Sequence, residues 1–167
     1  MNPIKLAIKT ETDAIAFYKE AAEKTKHPIG KKMFLSIMGD EKRHLEDFKC
    51  ILQGLDIKVR DVISPMKKIK TVFEENKKVL LERIRATTDE MEALKIAMQM
   101  EKESIELYKK LLEEVKAPKE KALFERLIKE EQEHFSIFSN TYFFLSDSGS
   151  WFMWEEHSIV DGGTPWA

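Results

Sequence analysis

Cys50 is the only cysteine in a chain of 167 residues, which excludes an internal disulfide and any Cys-x-x-Cys metal site. Glycine and proline are scarce, at 6 and 5 residues, so the punctuation that strands and long loops need is largely missing. No apolar run is long enough to span a bilayer, and the start, MNPIKLAIKTE, lacks the apolar stretch of a signal peptide. There is no basic arm or stripe: the two signs are interspersed and the net charge is −2. Nucleic acid and membrane are therefore not expected as partners. Together these absences predict a cytoplasmic protein. What is present is 43% hydrophobic and 35% charged residues, rich in Lys, Glu, Leu, Ile and Met, which is the make-up of an all-α protein. The length suits a single domain over 1–167.

Hydrophobic periodicity divides the chain. Asn2-Pro3 reads as an N-cap followed by Pro at the first helical position. Ile4, Ala7, Ile8, Glu11, Ala14, Ile15 and Tyr18 then share a face of a helix expected to run to about Lys26. His27-Pro28-Ile29-Gly30 breaks it. A second helix follows with Met33, Phe34, Ile37, Met38, Glu41, His44, Leu45 and Phe48 on its buried stripe, ending near Gly54. Residues 1–54 thus form a helix hairpin. Residues 55–87 are a crossover whose helix starts at Ser64-Pro65 and places Met66, Ile69, Phe73, Leu80 and Ile84 on one side. A connection of that length is expected to return the chain so that the next helix starts at the same end as the first. Thr87 and Glu90 have capping-box spacing and open a second hairpin over 88–145. The tail, 146–167, holds all three Trp residues and is expected to pack on the bundle or on a second subunit.

The two hairpins are related. At an offset of 90 residues, with no gap, identical residues stand at Ala7/Ala97, Glu11/Glu101, Tyr18/Tyr108, Phe34/Phe124, Glu41/Glu131, His44/His134 and Phe48/Phe138. Each half carries Glu-x-x-His, whose spacing puts both side chains on one helix face about a turn apart. Both copies lie on the apolar stripe, where charged groups are rarely found unless paired or bound to metal. Four carboxylates and two imidazoles facing inward would hold two metal ions; the alternative is a buried polar network without metal. Lys19/Lys109, Glu23/Glu113 and Lys31/Lys121 also repeat and read as solvated faces. His27 and His157 are expected to be exposed, and Cys50 to be inert.

The matching motifs are Glu11 with Tyr18 seven residues on, Glu41-x-x-His44, Glu101 with Tyr108 seven residues on, and Glu131-x-x-His134. On these the chain resembles the ferritin-like superfamily, and within it the rubrerythrin-like branch, over roughly residues 1–145. The resemblance implies a ferritin-like four-helix bundle and a di-iron centre, with manganese or zinc able to fill one or both positions. Glu41 and Glu131 would bridge the metals, Glu11 and Glu101 would be terminal ligands, and His44 and His134 would each bind one metal. Tyr18 and Tyr108 read either as hydrogen-bonding supports of that site or as core residues. The implied function is an oxidoreductase that reduces hydrogen peroxide or dioxygen with electrons from a separate donor such as rubredoxin, and a homodimer is expected. Iron storage or delivery, and a non-catalytic metal-stabilised binding protein, are the alternatives. Two departures stand out. One cysteine cannot form the family's four-cysteine electron-transfer domain, and Ser104 occupies the place of an additional Glu three residues after the third-helix ligand.

Overall fold

Helix starts are written into the turns. Asn2 Oδ1 accepts from Ile4 N at 2.8 Å, and α1 runs Pro3–Lys24. His27 Nδ1 accepts from Ile29 N at 3.1 Å, and α2 runs Pro28–Leu52, with Gly54 beyond its end at φ +70. That left-handed value is the one glycine adopts without steric cost. Ser64 caps α3, Pro65–Glu75; the full Thr87/Glu90 capping box opens α4, Thr88–Glu114; and α5 runs Pro118–Ser148. The computed structural model describes residues 2–57, 62–76 and 84–151. Leu80 and His157 lie outside those residues, as does the tail beyond Trp151.

α1 packs on α2, and α4 on α5, as two hairpins. The hairpins meet face to face, and α3 lies across α2 and α5. α4 runs antiparallel to α1. Tyr18 reaches Glu101 while Tyr108 reaches Glu11, and Lys26 N donates to Glu90 Oε2 at 2.9 Å. The crossover therefore delivers the chain to the end where α1 finishes, not to the end where it starts. A short link after α2 would already have reached the starting end. The long one is needed because the pseudo-twofold axis lies across the helices.

The core forms two apolar slabs separated by a polar layer. One slab holds Tyr18, Phe34, Ala97 and Phe138; the other holds their repeat mates Tyr108, Phe124, Ala7 and Phe48. The axis exchanges the slabs. The first gains Ile69 and Phe73 from α3 and Trp151 from the chain after α5, whereas the half-buried Ile57 at the start of the crossover packs on the second. Trp151 N donates to Ile84 O at 2.6 Å and Ala86 N to Gly149 O at 3.1 Å, so the exit of α5 is clasped to the entry of α4. A Cβ at Gly30 would meet Thr25 Cγ2 at 2.8 Å and the Trp151 ring at 3.0 Å, which is why glycine stands under that ring.

Two expectations about polar residues need correcting. His27 is not exposed: it is fully buried, caps α2 and stacks on Trp151 with ring centroids 5.7 Å apart. Lys31 is more than a solvated side chain, since its Nζ donates to Ala22 O and Glu23 O at 3.1 and 3.2 Å and closes the carbonyl end of α1. No helix among the described residues is long and apolar enough to cross a membrane.

His27 carries a testable pH dependence. Burial lowers its pKa from 6.5 to about 4, against the opposing pull of the Glu90 carboxylate, and the cap uses an unprotonated Nδ1. The fold therefore favours the neutral ring. Its contribution is complete above the unfolded pKa of 6.5 and is lost as pH falls towards 4, by at most about 3 kcal/mol. Denaturant midpoints of wild type and His27→Asn, whose amide caps without titrating, should diverge in slope over that window, the wild type falling more steeply.

Candidate metal centre

The polar layer between the slabs is built by four helices. α1 supplies Glu11, α2 Glu41 and His44, α4 Glu101, and α5 Glu131 and His134, all buried. Two groups could each hold a metal ion: Glu11, Glu41, His44 and Glu131, and Glu41, Glu101, Glu131 and His134. Within each group one ligand atom per residue lies within 4.8 Å of the others. Glu41 and Glu131 belong to both. His44 Nδ1 is 2.9 Å from Glu41 Oε2 and 2.9 Å from Glu131 Oε1; His134 Nδ1 is 3.3 Å from Glu41 Oε1 and 3.3 Å from Glu131 Oε2.

The far side of each imidazole is held by a carboxylate from the other hairpin. His44 Nε2 lies 3.2 Å from Glu130 Oε2, and His134 Nε2 lies 2.9 Å from Asp40 Oδ2. Both acids are charged. Asp40 is held below its usual range, and Glu130 lowered to about 2; burial opposes this, but the imidazole and the nearby cations outweigh it. A carboxylate only accepts, so each Nε2 donates, leaving Nδ1 aimed into the layer. Arg43 donates to Glu130 and, at 3.3 Å, to Asp40; Lys68 pairs with Asp40; Arg126 Nε lies 3.7 Å from Glu130 Oε2 and its Nη2 donates to Asp47 at 3.2 Å.

The tyrosines also cross between hairpins. Tyr18 donates to Glu101 Oε1 at 2.5 Å, and Tyr108 donates to Glu11 Oε1. Burial, then the Glu101 carboxylate, hold the Tyr18 hydroxyl well above its usual pKa, so it stays protonated as a donor. The second oxygens, Glu11 Oε2 and Glu101 Oε2, are buried with no hydrogen-bond partner among the described residues. Orphaned buried oxygens in a layer of carboxylates and imidazoles fit divalent cations.

Asp40, Glu130, Arg43, Lys68 and Arg126 are site residues that sequence reasoning missed. A signal existed: positions 40 and 130 are acidic at the repeat offset, one residue before each repeated Glu. They are not identical, so a comparison of identities passes over them.

The layer neutralises itself when no metal is bound. Burial, then Glu41 and Glu131, raise Glu11 well above the usual carboxylate range; burial, then Glu131 and Glu41, do the same for Glu101. Burial works against charge on Glu41, Glu131, His44 and His134 as well, and Glu41 further opposes charge on Glu131, but contacts between imidazoles and carboxylates, those of Glu130, Glu101 and Asp40 included, prevail. Together these contacts, with the Glu101 hydrogen bond first at Glu131, hold Glu41 and Glu131 below their usual range and both imidazoles well above theirs.

A family model described as Rubrerythrin matches residues 2–142. No curated protein and no solved structure gives a match.

Metal entry must displace the protons of this layer. Titration with two equivalents of Zn²⁺ should release up to about four protons per chain, two from imidazoles and two from Glu11 and Glu101. Affinity should therefore rise with pH. Calorimetry in buffers of different ionisation enthalpy checks this; zinc uptake without proton release would contradict it. Glu41→Ala and Glu131→Ala should lose metal to a similar degree in elemental analysis, whereas substitution of Glu23 or Glu113, both exposed, should leave metal content unchanged.

Proposed function

The chain belongs to the rubrerythrin family, and on that basis we propose that it is a di-iron oxidoreductase that reduces hydrogen peroxide or dioxygen with electrons from a separate donor protein. One observation carries the reading: two buried ligand groups that share Glu41 and Glu131, so that two cations would sit side by side between common carboxylates. Glu11 and Glu101 would be terminal ligands, and His44 and His134 would each bind one metal. Iron is the proposed metal, with manganese or zinc as substitutes. When bound, a reduced iron pair supplies two electrons and polarises the oxidant.

The chain's own residues prepare for that chemistry. Asp40 and Glu130 keep a proton on each Nε2 and so keep each Nδ1 lone pair facing inward. Tyr18 and Tyr108 each hold one oxygen of a terminal carboxylate and limit its rotation. The apolar slabs exclude water on both sides of the layer. Ser104 is buried on the same α4 face as Glu101. It is short and neutral, so it cannot replace a histidine as a carboxylate could, and each position keeps its own donors. Within these 167 residues one cysteine cannot form a four-cysteine iron site, which supports a separate donor protein as the electron source.

Electron count sets the expected preference. Hydrogen peroxide takes two electrons and two protons to become two waters, which one pair of ferrous ions provides. Dioxygen needs four electrons for the same outcome. Purified after iron supplementation, the protein should carry about two metal ions per chain, one for each ligand group. In anaerobic stopped-flow mixing, the reduced protein should be oxidised roughly tenfold or more faster by peroxide than by dioxygen, about 1.4 kcal/mol in barrier. Ser104→Glu should widen that preference. Faster oxidation by dioxygen would favour iron storage or delivery instead. A bound pair that does not cycle would leave the metal a stabilising role alone.

A further inference from the structure

The crossover helix α3 does more than cover α2 and α5. Its Lys68 Nζ pairs with Asp40 Oδ1, while Asp40 Oδ2 lies 2.9 Å from His134 Nε2. His134 Nδ1 in turn lies 3.3 Å from Glu41 and Glu131 and 3.6 Å from Glu101. A continuous polar chain thus leads from Lys68, whose side chain is 32% exposed, to a carboxylate with no exposure and on into the layer. The matching support at the other imidazole is arranged differently. Glu130 is held by Arg43 of α2 and Arg126 of its own helix, both within the two hairpins. Other polar ties of α3 include Lys32 Nζ to Asn76 Oδ1 at 2.8 Å, just beyond its end, and Met66 N to Glu133 Oε2 at 3.3 Å. Ile69 and Phe73 supply its apolar anchor.

We propose that Lys68 is a positioning residue that orients Asp40, and through it the ring of His134, so that docking of α3 and metal binding by Glu41, Glu101, Glu131 and His134 favour each other. The inference rests on the metal-centre reading above. A metal at that position needs the Nδ1 lone pair, and Asp40 secures it by accepting from Nε2. Asp40 is itself oriented by two cations, Lys68 and Arg43, and Arg43 is shared with Glu130. Without Lys68, Asp40 keeps His134 itself and, to orient it, only the shared Arg43. Loss of a hydrogen-bond partner behind a metal ligand typically weakens binding 10–100-fold, and Lys68 stands one contact further out, so about tenfold is expected. Linkage requires the same factor in the docking of α3 when metal binds.

The test uses the full chain and Co²⁺ as the probe, with its visible absorption as the readout. Wild type, Lys68→Met and Lys68→Arg are titrated, and hydrogen exchange of the α3 amides is followed before and after loading. Lys68→Met should weaken one of the two Co²⁺ equivalents about tenfold, leave the other unchanged, and diminish the gain in α3 protection. Lys68→Arg should restore both the affinity and the gain in protection. Lys68→Ala provides a second truncation should Lys68→Met fold poorly. Unchanged binding of both equivalents in the truncated variants would overturn the inference and leave the metal centre standing, as would equal weakening in Lys68→Arg and Lys68→Met. A wild type that takes up fewer than two Co²⁺ ions would overturn the metal-centre reading and this inference with it.

Discussion

Burying six ionisable side chains in one layer is the constraint on which the rest of the molecule depends. An isolated charge in such a place would cost several kcal/mol, so the layer must be neutral as a unit. It meets that requirement without metal by holding protons on both imidazoles and on two of four carboxylates, and with metal by exchanging those protons for divalent cations. The same requirement explains the next ring outward. Asp40 and Glu130 add two charges, and Arg43, Lys68 and Arg126 surround them. Layer and ring together occupy the middle of the bundle, and the apolar core is displaced to either side of it.

The ferritin-like bundle was legible in the chain because repeated identities and helical periodicity report the same face. Glu41 and His44 sit among Ile37, Phe34 and Phe48, and their mates at 131 and 134 do likewise, so burial and spacing coincide. What escaped was decided by contacts between elements. The burial of His27 depends on Trp151, which arrives from the far end of the chain. The direction of α4 depends on where a long connection lands, and length alone does not specify that. Asp40 and Glu130 escaped for a chemical reason: a carboxylate one methylene longer performs the same task, so the pair need not be identical.

The two ends of the molecule differ although the middle is nearly symmetric. α3, Trp151 and the clasp between Ile84 and Trp151 all add to one slab, where Glu90 receives bonds from Thr87 N, Lys26 N and Trp151 Nε1. That end joins both hairpins through one carboxylate. The opposite slab centres on Phe48, Tyr108 and Phe124, rings packed 5.3–6.4 Å apart, with Leu111, Leu123 and Leu127 around them.

The exchange of partners between hairpins has an evolutionary consequence. Tyr18 serves Glu101, Tyr108 serves Glu11, His44 leans on Glu130 and His134 on Asp40. A solitary hairpin leaves every one of these groups without its mate, so an ancestor one hairpin long would have worked as a pair of identical chains. Joining the two copies in one gene removed the dependence on concentration. It also freed each copy to drift where identity was no longer enforced by symmetry. Position 43 and its repeat mate 133, arginine in one half and glutamate in the other, differ in a place where two identical chains would have been bound to agree.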